Sequence, residues 1–180
     1  MTHLRAVKIG ARLGIGFGII LLMVVCVLAA DILISANARD AQNQGLRHAN
    51  AKAVQAGLMR SAVLEGGIAA RNVGLQYTTP SMLKEEEKFQ QQRAKFLEAQ
   101  KKLTDLGLGD AEKAIVASIV SLNAQTDAPL KEAMELVKSY SNEAAGKLIS
   151  SQIDPLNQKA IAEIDKLVNL QQAAIDGLLE

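Results

Sequence analysis

The clearest indication of the fold comes from residues 81–106, SMLKEEEKFQQQRAKFLEAQKKLTDL. Met82, Phe89, Phe96 and Leu103 recur in it at intervals of seven residues. A helix that repeats an apolar side chain at this interval buries one stripe of its surface against neighbouring helices. Most of the other positions carry charged or amide side chains, which favour water. The stretch is therefore predicted to be one helix of a bundle.

Residues on either side of this helix mark its ends. Thr79 followed by Pro80 is typical of a helix start, because threonine caps the first turn and proline suits the first helical position. Gly107 and Gly109 are expected to end the helix. Asp110 is then predicted to cap the next helix.

Three further helices are predicted around it. They are a first helix that ends near Tyr77, a third from Asp110 to about Tyr140, and a fourth that opens in SNEAAG (141–146) and reaches the end of the chain. Pro129 and Pro155 fall inside the third and fourth helices and should kink them. Because short connections between long helices make neighbours antiparallel, the sequence predicts an all-α, up-down-up-down four-helix bundle.

An apolar run near the start, LGIGFGIILLMVVCVLAA at residues 13–30, is long enough for a membrane span. Arg5, Lys8 and Arg12 precede it and Asp31 follows it, so the excess of positive charge predicts a cytoplasmic N-terminus. The predicted organisation has three parts, listed in chain order: a cytoplasmic N-terminus at 1–12, a transmembrane helix at 13–34, and a periplasmic bundle at 35–180. The first bundle helix is predicted to be continuous with the transmembrane helix.

A cleaved signal peptide is the alternative interpretation of the same run. The segment Val27–Ala29 would serve as its cleavage site, but the apolar run exceeds the length usual for signal peptides, and the helical pattern continues past Asp31. Both interpretations place the body of the protein outside the cytoplasm.

Composition argues against several function classes. The net charge of +1 lacks the basic excess typical of nucleic-acid binders. Cys26 is the one cysteine, and His3 and His48 are isolated, so neither a disulfide framework nor a metal site is predicted. An enzyme needs a nucleophile with a base, a metal cluster or a phosphate loop, and the sequence offers none of these arrangements. We therefore expect a protein that is not an enzyme and that has no cofactor.

Four segments together resemble a known family. They are KIGARLGIGFGIILL (8–22), IAARN (68–72), FQQQRAKFLEAQKKL (89–103) and DPLNQKAIAEIDKLVNLQ (154–171). In this order the chain resembles the four-helix-bundle sensory domain of methyl-accepting chemotaxis receptors. The resemblance implies a homodimeric receptor of the bacterial inner membrane, whose periplasmic domain binds a small molecule and shifts a transmembrane helix. Such receptors continue into a second span, a HAMP linker and a cytoplasmic coiled coil that binds the kinase and adaptor. This sequence stops at Glu180, before those parts, and is interpreted as a receptor's N-terminal part.

Arginine usage points to a ligand site on the first helix. Arg60 and Arg71 lie eleven residues apart, which is three helical turns plus about 20°, so they share a face. Arginine suits a carboxylate because its planar guanidinium offers two parallel hydrogen bonds. Asn72 stands next to Arg71. The alternatives are that each arginine pairs with Glu65 or a neighbouring helix or stays solvated, and that Asn72 is a buried polar residue that fixes helix register.

The same end of the bundle holds further candidate residues. Tyr77, Thr78 and Tyr140 are predicted at the end farthest from the membrane, where the tyrosine hydroxyls could close a pocket. Packing at the helix ends is the other explanation for the tyrosines. The predicted ligand is a small organic acid such as a di- or tricarboxylate, held between the first and fourth helices or across a dimer seam. The alternative function is a membrane-anchored helical scaffold or adaptor that has no ligand.

Overall fold

The computed structural model describes residues 9–76 and 78–179, without the side chains of residues 9–15, 32–33, 35–37 and 79. Every regular element within these ranges is helical, and the described residues form no strand. The predicted all-α class is confirmed, and the arrangement is consistent with a four-helix bundle. The predicted site residue Tyr77 and the first eight residues of the predicted cytoplasmic N-terminus lie outside the description.

Within the described residues, six α-helices and one π-helical turn follow each other. Their bounds are α1 Ile9–Leu75, α2 Thr79–Asp105, α3 Asp110–Gln125, α4 Asp127–Lys138, α5 Asn142–Leu148, the π turn Ile149–Ile153, and α6 Asp154–Leu179. The predicted third helix thus corresponds to α3 and α4. The predicted fourth helix corresponds to α5, the π turn and α6.

The chain divides into two compact units, residues 1–45 and 46–180. In the first unit the large apolar side chains from Phe17 to Leu28 are exposed. Within the described part of the chain, no helix is found that is both long enough and apolar enough to cross a membrane. In the predicted span 13–34, the side chains of residues 13–15 and 32–33 lie outside the description.

The second unit holds its core in two apolar clusters. The first apolar cluster comprises Ala56, Met59, Ala62, Val63, Phe96, Ala99, Leu103, Val116, Ile119, Ile164 and Leu167. The second apolar cluster comprises Ala70, Val73, Met82, Leu130, Ala133, Met134, Val137, Ala145, Leu148, Ile149 and Ile153. Phe96 and Leu103 lie in the first cluster and Met82 in the second, against which Phe89 packs. The heptad stripe predicted for α2 is therefore an interior stripe.

An irregular turn precedes each of the two prolines that were predicted to kink a helix. A proline lacks the amide hydrogen of an intrahelical bond, and its ring clashes with the carbonyl four residues earlier. For Pro129 that residue is Gln125, the last residue of α3, and Thr126 forms the turn into α4. For Pro155 it is Ser151, which lies inside the π turn. The widened turn accommodates the proline ring without ending the predicted fourth helix.

The connection between α2 and α3 differs from the prediction by one residue. Gly107 adopts a left-handed φ of 77°, as expected for a glycine that ends a helix. Asp110 was predicted as the cap of α3, but it is the first helical residue and Gly109 is the N-cap. The side chain of Glu112 accepts a hydrogen bond from the Gly109 amide, so the acid three residues on completes the cap.

Candidate functional site

Arg71 makes a two-point ion pair with Asp154 at the start of α6. Its Nε donates to Oδ1 and Oδ2 of Asp154 at 3.1 and 2.9 Å, and its Nη2 lies 2.9 Å from Oδ1. The Arg71 side chain is 51% exposed, whereas that of Asp154 is 16% exposed. The carboxylate is thus nearly enclosed, and the cation faces the solvent.

Arg60 pairs with the same helix farther along. Its Nε donates to Oδ1 of Asp165 at 2.7 Å, and both side chains are nearly half exposed. Arg60 lies eleven residues before Arg71 on α1, and its partner Asp165 lies eleven residues after Asp154 on α6. The two helices run antiparallel, and the two arginines face the same neighbour. Both arginines therefore form an ion pair with a neighbouring helix, which was one of the alternative predictions. Glu65 accepts a hydrogen bond from Ser61 instead.

Asn72 points away from Arg71, toward α2. Its Nδ2 donates to Oε2 of buried Glu85 at 3.2 Å, and Lys88 donates to the other oxygen of this carboxylate. The hydrogen bond from Lys88 lowers the pKa of Glu85; burial opposes this effect and the bond from Asn72 adds to it. Because successive residues of a helix are about 100° apart, Arg71 and Asn72 contact different helices and do not converge on one point.

Thr78 and Tyr140 lie at connections between helices. Thr78 is the N-cap of α2, and its Oγ1 donates to Oγ of Ser81 at 2.9 Å. Tyr140 follows α4 with a left-handed φ of 60°, and its side chain is 71% exposed. It borders a groove of about 180 Å³ whose other lining residues are Val73, Met82, Leu83, Glu86, Met134, Val137 and Lys138. Neither Arg60 nor Arg71 lines this groove, so the structure does not bring Tyr140 and the arginines into one pocket.

The sequence did not indicate a small cleft of about 30 Å³, partly open to solvent, between α1, α2, α3 and α6. Its polar lining comprises Gln92, Arg93, Asn123, Thr126 and Asn157, and its remaining walls include Gly66, Gly67 and Phe89. Two of these amides nevertheless follow the heptad pattern. Gln92 lies three residues after Phe89 and four before Phe96, and Asn157 lies three residues before Ala160. Both amides therefore recur at the spacing of interior residues in a bundle. An amide at such a position marks a polar layer inside a bundle.

A buried ion pair joins three helices at the other side of the first apolar cluster. Lys52 of α1 donates to both carboxylate oxygens of Glu112 at 2.9 Å, and Gln171 of α6 donates to Oε1. Lys52 is 8% exposed, Glu112 6% and Gln171 2%. Burial alone raises the pKa of Glu112, but the hydrogen bonds from Lys52, the Gly109 amide and Gln171 outweigh it. The net pKa lies below its ordinary value, so Glu112 is an anion at neutral pH.

The ion pair of Arg71 leaves part of its guanidinium free to bind an anion. Among the described residues no group of three or more His, Cys, Asp or Glu side chains could hold a metal ion. Arg71 instead offers a half-exposed guanidinium whose position is fixed by a nearly enclosed carboxylate. A planar donor fixed in this way can accept a second carboxylate on its outer edge.

A family model matches residues 6–174, which is almost the whole chain. Its description is a four-helix-bundle sensory module for signal transduction. The match includes α1 with the predicted span and all later helices except the last five residues of α6. No curated protein matches the chain.

A solved structure has the same fold. It is the periplasmic sensor domain of a sensor histidine kinase, with a TM-score of 0.64 and 17% sequence identity. The likeness covers 77% of this chain and 92% of the solved chain. At this level of identity the similarity concerns the fold.

Proposed function

The chain belongs to the family of four-helix-bundle sensory modules for signal transduction, and on that premise we propose that it is the sensory domain of a bacterial chemoreceptor. In this proposal the bundle lies in the periplasm and binds a small organic acid of the di- or tricarboxylate type. Binding then displaces a helix that carries the signal across the inner membrane. The domain acts as a binding module and not as an enzyme.

The free edge of Arg71 is the observation that carries the choice of ligand. Arg71 uses Nε and Nη2 for Asp154, and no described residue accepts a hydrogen bond from its Nη1. A ligand carboxylate can therefore bind the outer edge of the guanidinium without first removing Asp154. A ligand carboxylate that shares the Arg71 cation weakens the attraction between Arg71 and Asp154, which holds α1 against the start of α6. Ligand binding therefore loosens the contact between α1 and α6.

Arg60 is less suited to hold the same molecule. Eleven residues of helix place the two arginines about 16 Å apart along the axis of α1. A di- or tricarboxylate bound at Arg71 would reach Arg60 only if both side chains left their aspartates. We therefore assign the primary contact to Arg71 and treat Arg60 as a separate ion pair with α6.

An exposed apolar stripe on α1 supports the proposed homodimer. Val54, Leu58, Ile68 and Leu75 are all more than half exposed, and their separations fit the alternating three- and four-residue steps of a coiled-coil seam. Arg71 flanks this stripe between Ile68 and Leu75. A second copy of the chain packed along α1 would cover the stripe and place the anion site beside the dimer seam.

Membrane insertion of residues 13–34 remains part of the proposal. It rests on the length of the apolar run, on the cations that precede it and on the exposure of the apolar side chains between Phe17 and Leu28. Contacts with a kinase and an adaptor would be made by a cytoplasmic part of the receptor that is not among these residues.

A scaffold without a ligand is the second candidate, and one observation favours it. Asp154 and Asp165 already give both arginines of the predicted site a protein partner. On this view the two ion pairs only hold α6 against α1, and no small acid competes for them.

Calorimetry on the full chain in mild detergent separates the two candidates. We expect one of a panel of small di- and tricarboxylates to bind, and Arg71→Ala to weaken that binding by about 1.5–3 kcal/mol, the usual worth of a charge-assisted hydrogen bond. Arg71→Lys should recover only part of the loss, because an ammonium lacks the planar fork. Arg47→Ala, which removes an exposed arginine elsewhere on α1, is the matched control. Equal affinity of Arg71→Ala and the wild type would rule out the proposed site.

A further inference from the structure

The groove beside Tyr140 has a buried apolar floor. Four buried residues from α1, α2 and α4 form this floor: Val73, Met82, Met134 and Val137. The groove measures about 180 Å³, and an apolar cavity of about 150 Å³ is enough to hold benzene. The two methionines have flexible thioethers, which adapt to a guest and make favourable contacts with aromatic rings. The groove therefore fits the apolar body of one small molecule.

One carboxylate in the wall of the groove has no protein partner. Glu86 on α2 is partly buried, and no described residue forms a hydrogen bond or an ion pair with it. The acids next to it in sequence are both paired, since Glu85 accepts hydrogen bonds from Asn72 and Lys88, and Glu87 accepts one. A carboxylate that is partly shielded from water gains most from a cation beside it. Glu86 therefore offers an unused negative charge next to the apolar floor.

The other charged side chain that lines the groove is already paired. Lys138 donates to Oε1 of Glu135 at 3.5 Å and makes no ion pair with Glu86. Lys138 and Glu135 cancel each other's charge, so the charge of Glu86 is left over. Charge complementarity therefore favours a guest that carries a positive charge at the Glu86 end of its apolar body.

Tyr140, at the edge of the groove, occupies a backbone position that glycine usually takes. Its amide donates to the Val137 carbonyl at 2.9 Å. The amide of Ser141 donates to the Leu136 carbonyl at 2.8 Å, which completes the hydrogen-bond pattern of a Schellman motif. The left-handed φ of 60° strains a tyrosine, and a ring that is 71% exposed gains little packing to offset the strain. Strain of this kind is typical of residues that contact a ligand, and the face of a tyrosine ring attracts cations.

We propose that this groove is a second binding site, which takes a small amphipathic organic cation, an amine whose apolar body has about the size of one aromatic ring. The apolar body packs on the two methionines, the ammonium group binds the carboxylate of Glu86, and the ring of Tyr140 covers the bound molecule. Neither Arg71 nor Asp154 lines the groove. The site is therefore independent of the proposed anion function, and the failure of one would not be the failure of the other.

Benzylamine, which is a cation at neutral pH, is the probe. Benzyl alcohol has the same ring without the charge, and benzoate has the opposite charge. NMR follows the backbone amides of Val137 and Tyr140 in the full chain in mild detergent. We expect saturable shifts with benzylamine, at least about tenfold weaker binding of benzyl alcohol, and no shift of these two amides with benzoate. Arg71→Ala should bind benzylamine as the wild type does, which separates this groove from the anion site.

Two matched glutamine variants test the location. Glu86→Gln and Glu87→Gln each remove one negative charge from neighbouring positions of α2, but only Glu86 lines the groove. Glu86→Gln should weaken benzylamine binding about tenfold or more, which corresponds to the loss of a charge-assisted hydrogen bond, and Glu87→Gln should bind as the wild type does.

Tyr140→Gly tests the aromatic contact in a protein whose backbone strain is relieved. It should bind benzylamine about two- to fivefold more weakly than the wild type does, although its fold is no less stable. Four results would overturn the proposal. They are the absence of saturable shifts in the wild type, equal affinity for benzylamine and benzyl alcohol, equal affinity of the two glutamine variants, and unchanged affinity in Tyr140→Gly.

Discussion

Glu112→Ala is expected to cost more stability than removal of any exposed carboxylate in the bundle. Glu112 accepts hydrogen bonds from Lys52, Gln171 and the Gly109 amide, and it is 6% exposed. Removing one partner of a buried ion pair typically costs about 3–5 kcal/mol, because the other charge stays buried without compensation. The lost cap of α3 accounts for about 1 kcal/mol of that loss. We expect the free energy of unfolding to fall by about 3–5 kcal/mol in total.

Urea unfolding followed by circular dichroism, on the chain in mild detergent, measures this loss. Glu135→Ala is the matched control, because Glu135 forms an exposed ion pair with Lys138 at 3.5 Å. Exposed pairs of this kind contribute at most about 1 kcal/mol. The slope of the unfolding free energy against urea should stay unchanged, which would show that the variants unfold from the same compact state.

A double variant tests the physical cause. Adding Lys52→Met to Glu112→Ala removes the charge that Glu112→Ala leaves buried, so the double variant should be more stable than Glu112→Ala alone. Two results would contradict this physical cause. One is a loss of under about 1 kcal/mol for Glu112→Ala, which is the range of surface pairs. The other is a double variant that is less stable than the single one.

The remaining predictions concern pH and two backbone positions. The folded pKa of Glu112 is lowered below the ordinary 4.5, so its contribution to stability is present above that value and is lost as pH falls through the folded pKa. The urea midpoint of the wild type should therefore drop in this acid range, and the midpoint of Glu112→Gln should drop less. An equal drop in both proteins would contradict the assignment. Tyr140→Gly should raise the free energy of unfolding by up to about 1 kcal/mol in the same assay, because glycine adopts the φ of 60° without strain and the exposed ring packs little. A decrease would show that the ring contributes packing. Gly57→Ala should also stabilise α1, by about 1 kcal/mol, because the new methyl group contacts nothing and glycine is a poor helix former; no change in the urea midpoint would contradict it.

The sequence predicted the helices well because their interior positions recur at heptad spacing. Phe96 and Leu103 were expected inside the bundle and lie in its core. Both proline irregularities were also expected, since a missing amide hydrogen and a ring clash are local effects. The N-cap of α3 was placed one residue late, at Asp110 instead of Gly109. The cap there is made by the side chain of Glu112 acting on glycine, and not by a side chain at the cap position itself.

The candidate site was harder to predict because adjacency along a helix is not adjacency in space. Arg71 and Asn72 are neighbours in sequence, yet one contacts Asp154 and the other Glu85 on a different helix. The shared face of Arg60 and Arg71 was predictable from their separation of three turns. Their aspartate partners could not be identified, because that requires the relative register of α1 and α6.

The division of the core into two apolar clusters bears on how this domain can diversify. Substitutions separated by more than about 7–10 Å, with no shared partner, change stability additively. The polar layer at Gln92 and Asn157 keeps the side chains of one cluster from packing on those of the other. The half that contains Arg71 and Tyr140 can therefore change its interior side chains with little effect on the other half, where Lys52, Glu112 and Gln171 link three helices.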